Sequence, residues 1–184
     1  MVRRILIDTN VLLDYLLSRE PFYEDAKKIV MACTDGEIKG CIAAHSISNM
    51  YFILRKDYSA KERREILINL FKIFDTEGID QDKLLSGLQN EKFSDFEDCL
   101  QMECAKSYGA KYIVTRNIED FKYSEVKAIL PMDYLKLKEV PFCVETPDFN
   151  QSTLDAVEDA RYISHEPDTK GDTSMDELKK DLEE

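Results

Sequence analysis

Short runs of aliphatic and β-branched residues recur along this chain, always with a helix-length segment between them. Arg3-Arg4-Ile5-Leu6-Ile7 is the first and Gly40-Cys41-Ile42-Ala43-Ala44 the second. Glu77-Gly78-Ile79 is a weak third, followed by Lys111-Tyr112-Ile113-Val114-Thr115 and by 126–130, which ends at Pro131. A tight turn can join antiparallel neighbours, whereas parallel strands need a crossover of a dozen or more residues. The spacing therefore predicts right-handed βαβ crossovers and a parallel sheet. The intervening segments have helical patterning: 11–17, broken by Pro21; 22–33, stopped by Gly36; 45–56; 60–74; 81–88; and 96–108, with Gly109 as its cap. A further turn or two is expected over 132–137.

Composition narrows the class. The 184 residues are 43% hydrophobic and 34% charged, which suits a soluble domain with one filled core and some length left over. No apolar run approaches the ~18 residues of a spanning helix, so no membrane partner is expected. Met-Val-Arg-Arg runs straight into the first strand, too short for a signal peptide. Cys33, Cys41, Cys99, Cys104 and Cys143 are odd in number and lack metal-ligand spacing, which points to a reducing, cytoplasmic setting. The net charge of −12 is uneven. Residues 141–184 hold 13 acidic and four basic side chains, a net of −9, leaving −3 for the rest. A nearly neutral body can still carry a local basic patch.

In an open parallel sheet, ligands gather beyond the carboxyl ends of the strands. The residues expected there are polar. Asp8 and Asn10 leave the first strand, Ser46 and Asn49 the second, and Asn117 and Asp120 the strand ending at Thr115. Asp95 and Asp98 lie three apart near the start of one helix, hence on one face. Carboxylates converging from separate elements repel, and a cation relieves them. Oxygen ligands suit Mg²⁺ or Mn²⁺, which keep waters and bind through few carboxylates. Such a metal lowers the pKa of a bound water and stabilises charge on a phosphoryl oxygen. G-x-S-x-G, a P-loop and GxGxxG are all missing, and the two histidines, His45 and His165, are far apart.

Each signal alone has a plainer reading. Asp8-Thr9-Asn10 also suits a helix N-cap. Asp95 and Asp98 also complement a helix dipole, and 117–120 also makes an Asx-type loop. His45 suits a packed strand-end residue better than a base. Arg55, Lys56, Lys61, Arg63 and Arg64 cluster on two adjoining helical stretches with Arg116 beside the expected site, which suits phosphate contact; a solvated helix face accounts for Lys61 to Arg64 equally well.

The order of these motifs resembles PIN-domain proteins of the toxin–antitoxin class, the VapC-like group. The resemblance rests on Ile7-Asp8-Thr9-Asn10-Val11-Leu12-Leu13-Asp14, Arg19-Glu20-Pro21-Phe22 and 46–56. Asp95-Phe96-Glu97-Asp98-Cys99-Leu100-Gln101 and 115–121 extend it. It spans about residues 1–138 and implies an α/β/α sandwich with a central parallel sheet. It further implies a metal-dependent ribonuclease acting on RNA, with a homodimer expected. Asp8 then corresponds to the first metal carboxylate and Asp98 to the second. Asn117 and Asp120 sit where the family has its last polar or acidic group, and Thr9 and Thr115 are supporting hydroxyls. Asn49 departs from the usual Asp or Glu: it keeps an oxygen ligand but loses a charge and cannot act as a base. Asp95, close on the same helix as Asp98, is placed to compensate.

Residues 139–184 form a second, acidic segment. Pro141-Phe142-Cys143-Val144, 153–161 and Ser174-Met175-Asp176-Glu177-Leu178 resemble the toxin-binding half of RelB/DinJ-type antitoxins. Leu154 and Val157 share one helical face, and Met175, Leu178 and Leu182 another, so two short amphipathic helices are expected to dock on a surface. Two functions follow as expectations. One is an endoribonuclease of the PIN/VapC type, regulated by its own tail, a neighbouring copy's tail or a separate antitoxin. The other is a catalytically weakened PIN fold whose tail neutralises a separate RelE/YafQ-like toxin.

Overall fold

The computed structural model describes residues 3–137. The chain begins with β1 (Arg3–Ile7), α1 (Thr9–Leu16), α2 (Tyr23–Thr34) and β2 (Ile38–Ala43). It continues through α3 (Ala44–Ile53), a 3₁₀ turn (Leu54–Lys56), α4 (Ala60–Ile73), β3 (Asp75–Glu77) and α5 (Gln81–Gln89). Then come α6 (Phe96–Tyr108), β4 (Tyr112–Val114), a second 3₁₀ turn (Ile118–Phe121), β5 (Lys127–Ile129) and α7 (Pro131–Lys136). The five strands form one parallel sheet in the order β3-β2-β1-β4-β5. The expected α/β/α sandwich is what the chain adopts.

Alternation along β1 divides the core. Ile5 and Ile7 join the cluster on one face, with Leu12, Ile29, Met50, Leu70 and Tyr134 from α1, α2, α3, α4 and α7. Leu6 points the other way, to Cys99, Met102, Cys104 and Ala105 of α6, and α5 packs outside α6. Ile5, Leu6 and Ile7 are fully buried, each worth roughly 1.5–3 kcal/mol relative to exposure. A strand with helices on both faces has no polar side to show water, which is why Ile5, Leu6 and Ile7 run apolar without alternation after two exposed arginines.

Local chemistry sets the helix ends. Ser59 and Glu62 make a reciprocal capping box at the start of α4, and Gly109 ends α6 in the left-handed region at φ 73°. Two of the differences from the sequence reading have a plain physical cause. The third strand lies at Asp75–Glu77, because Cys41, Ile42 and Ala43 pair with Asp75, Thr76 and Glu77; Gly78 and Ile79 fall beyond it. Pro131 begins α7 at its first turn, where its fixed φ suits a helix and its missing N–H costs nothing. Cys33, Cys41, Cys99 and Cys104 are buried free thiols. No helix among the described residues is long and apolar enough to cross a membrane.

The chain moves from β1 outward to β2 and β3, then returns to lay β4 and β5 on the opposite side of β1. The strand order therefore reverses between β1 and β4. The loops leaving these two strands diverge, and the crevice between them is where an open α/β sheet places a ligand.

Candidate active site

Asp8 stands at that crevice, immediately after β1. Its backbone N–H donates to the Val114 carbonyl at 3.0 Å, which carries the β1–β4 pairing one residue past the strand. Its side chain is only 2% exposed and takes hydrogen bonds on both oxygens. Oδ1 accepts from Gln101 Nε2 at 3.0 Å and, more weakly, from the Asn10 backbone N–H at 3.4 Å. Oδ2 accepts from Thr115 Oγ1 at 2.7 Å. Asp8 is thus both the N-cap of α1 and part of a cleft wall.

Support extends outward from Asp8. The Thr115 hydroxyl also accepts from the Asn117 backbone N–H at 3.0 Å, so one side chain fixes both the carboxylate and the loop after β4. The Thr9 hydroxyl donates to Ser46 Oγ at 2.7 Å, joining α1 to the first turn of α3. A cleft of about 430 Å³ opens over this arrangement. Asp8, Asn49, Asp95, Asp98, Asn117 and Asp120 all line it, brought together from β1, α3, α6 and the turn after β4.

Electrostatics follow from the crowding. The Asp98 carboxyl is pushed up to about 7, first by burial and then by the charges of Asp95, Asp8, Asp120 and Glu97. Without a counter-ion this group shares its proton with solvent near neutrality. Asp95 caps α6 by accepting from the Glu97 backbone N–H at 2.7 Å, so it too combines a cap with a place in the cleft wall.

Two features bear on whether a divalent cation fits. Gln101 turns its Nε2 to Asp8, and its Oε1 is buried with no hydrogen-bond partner among the described residues. The amide faces the Asp8 carboxylate nitrogen-first, so its oxygen is a buried hard donor without a partner among the described residues. The donor set is hard oxygen throughout, as Mg²⁺ and Mn²⁺ require. Among the described residues no three His, Cys, Asp or Glu side chains come close enough to close a cage by themselves. An ion that retains several waters needs no such cage, so the residues present fit it.

Sequence reasoning missed some of this site. Gln101 lay inside a quoted motif without a role; only the fold carries it across to Asp8. Glu97 also lines the cleft, and so does Asn10, which the strand-end pattern predicts. Arg116 is placed differently from the expectation of RNA contact. It turns out of the cleft, donating to Asp14 Oδ1 at 2.9 Å with its guanidinium 4.8 Å from the Phe22 ring centroid. The reason is Asp14, 1% exposed, whose burial demands a cationic partner; Arg19 stands 3.8 Å from the same oxygen. Desolvation nonetheless leaves the Asp14 carboxyl above its ordinary range. Arg55 and Lys56 are exposed where α3 gives way to the 3₁₀ turn. His45 is largely buried, and its desolvation holds the ring below its usual pKa. Neither ring nitrogen has a hydrogen-bond partner among the described residues, and Glu97 is 3.9 Å away. Leu154, Val157, Met175, Leu178 and Leu182, expected to dock, lie outside the described residues, as does the expected antitoxin-like segment as a whole.

Comparison with known families decides the affiliation: the PIN-domain profile matches residues 4–119. The chain belongs to the PIN-domain family. Solved structures agree with this PIN domain in fold. The VapBC2 complex of Rickettsia felis, bound to a promoter DNA fragment, aligns at TM-score 0.52 and 12% identity, over 69% of this chain and 98% of the other. VapC20 of Mycobacterium tuberculosis, a toxin that cleaves the sarcin–ricin loop, aligns at 0.53 and 12% identity, over 66% and 95%. DNA-bound VapBC of Salmonella typhimurium aligns at 0.54 and 14% identity, over 71% and 99%. No curated protein matches the chain by sequence.

Proposed function

We propose that this PIN domain is a metal-dependent endoribonuclease of the VapC type. The observation that carries the reading is the Asp98 carboxyl, raised to about 7 in a cleft it shares with Asp8, Asp95 and Asp120. A carboxyl desolvated in a cleft wall and faced by three further acids suits a place where a cation binds. Asp8 and Asp98 would hold Mg²⁺ or Mn²⁺, with Asn49 and Asp120 completing the oxygen wall. When bound, the ion supplies Lewis acidity, lowering the pKa of a water and offsetting charge on the phosphoryl oxygens. Thr115 and Gln101 keep Asp8 in one orientation, and Asn117 ties the loop bearing Asp120 to Thr115. Asn49 can orient a water through its amide but cannot take its proton.

VapC20, similar in fold, is named as a toxin that cleaves an RNA loop, which supports RNA as the substrate class. The VapBC structures are complexes, which supports a partner protein or a second copy for this chain. Regulation by the acidic segment belongs to the same reading on charge alone: residues 141–184, of net −9, compete with RNA for cationic surface. Asn49 in the cleft wall also favours the second reading, a weakened PIN fold serving as a binding module with a toxin-directed tail. One experiment separates the two. Mn²⁺ binding is followed by calorimetry on the full chain, and cleavage of a labelled RNA is measured across the same titration. Saturable binding with parallel cleavage is expected; binding without cleavage selects the module.

A further inference from the structure

Phe52 is a large aromatic side chain in the wall of the acidic cleft, yet it is 58% exposed. A phenyl ring at that exposure gains little by folding, and polar residues would line a metal site at less cost. Its surroundings give it a use. The Arg55 guanidinium lies 3.7 Å from the ring centroid, covering one face as a planar cation. One residue away the motif repeats. The Arg63 guanidinium lies 4.3 Å from the Tyr51 ring centroid and donates to the Tyr51 carbonyl at 2.9 Å. Lys56 is exposed beside them. The lip of an acidic cleft thus carries one exposed ring backed by a cation, with the half-buried Tyr51–Arg63 pair next to it outside the cleft lining.

We propose that Phe52, backed by Arg55, is a stacking subsite for an unpaired nucleobase next to the scissile phosphate. This rests on the nuclease reading of the cleft and names its substrate class: single-stranded or looped-out RNA. Single-strand sites combine aromatic platforms with cations that follow the backbone, because every base offers a π-face while its phosphates need counter-charge. Arg55 serves both ends, lying flat against the ring and carrying charge for the phosphate. A duplex keeps its bases stacked on each other and cannot offer one to Phe52 without unstacking.

The chain contains no tryptophan, so Phe52→Trp places a single reporter in the subsite. Fluorescence of this full-length variant is followed in EDTA, which prevents cutting, with three probes of equal length: single-stranded RNA, an abasic strand and duplex RNA. Strong quenching by the single strand alone is expected. By anisotropy, Phe52→Leu should bind the single strand about tenfold more weakly or worse, while its affinity for the abasic strand stays put. Equal quenching by the abasic strand overturns the proposal, as does unchanged affinity in Phe52→Leu. A shift in the sedimentation of Phe52→Leu without loss of RNA affinity also overturns it, assigning the ring to contact between copies. The nuclease reading fails separately: quenching with no cleavage under saturating Mn²⁺ sinks the chemistry and keeps the subsite, and cleavage without quenching does the reverse.

Discussion

Asp8 serves the helix and the site with one carboxylate, and this makes its substitution informative. Asn caps a helix about as well as Asp, so Asp8→Asn should leave the circular dichroism spectrum intact while Mn²⁺ binding disappears by calorimetry. Retained metal affinity would remove Asp8 from the site. Asp98 predicts a pH dependence. Its folded pKa, about 7, stands above the ordinary 3.8, so the metal-free folded chain binds this proton more tightly than the unfolded chain does. Its contribution to stability is therefore fully present below 3.8 and is lost as pH rises towards 7. Asp98→Asn should flatten that slope and make the metal-free chain more stable than its parent at pH 8. A cation must displace the same proton, so Mn²⁺ affinity should fall by up to about tenfold per pH unit below neutrality. Denaturation and calorimetry at several pH values check both signs.

Elements bring groups to the cleft that their own segments do not explain. α3 delivers Asn49 to a wall that holds five acidic side chains. If the lost charge limits activity, Asn49→Asp or Asn49→Glu should raise cleavage at saturating Mn²⁺, and unchanged rates in both would place the limit elsewhere. β2 shows a purely structural demand. A Cβ on Gly40 would stand 2.8 Å from Phe74 Cδ1 and 2.9 Å from Cys33 Sγ, so the ends of α2 and α4 close onto the strand only over glycine. Gly40→Ala should cost about 1–3 kcal/mol in denaturant melts and leave metal affinity unchanged, since the site lies at the other end of β2.

The whole molecule pairs a nearly neutral body with an acidic segment, and salt should reveal both. RNA affinity should fall steeply between low and moderate salt as phosphate contacts at Arg55 and Lys56 release counterions. A chain ending after Val140 sheds nine net negative charges and should bind RNA more tightly at low salt, the difference fading as screening grows. Filter binding at two ionic strengths measures both, and identical curves for the two chains would show that residues 141–184 do not act on RNA through charge.

The sequence by itself determined the parallel α/β class, because strand spacing forbade hairpins and continuous apolar runs required burial on both faces. It also indicated most of the polar residues at the carboxyl edge, since Asp8 and Asp120 follow strands, Asp98 lies in the first turn of α6 and Asn49 in the helix that follows β2. Two strand and helix boundaries shifted because pairing register and proline geometry set them, not composition. What only the tertiary structure decided was partnership. Gln101 reaches Asp8 across 93 positions, and Thr115 reaches it across 107. Arg116 pairs with Asp14, whose place in the apolar run 11–17 predicts burial but not which cation meets it. Phe52 reads in sequence as one more apolar helix residue and proves to stand in the open at the lip of the site. Periodicity reports which face of an element is apolar. It does not report which other element covers that face, and both the hydrogen bonds around Asp8 and the exposure of Phe52 depend on that second fact.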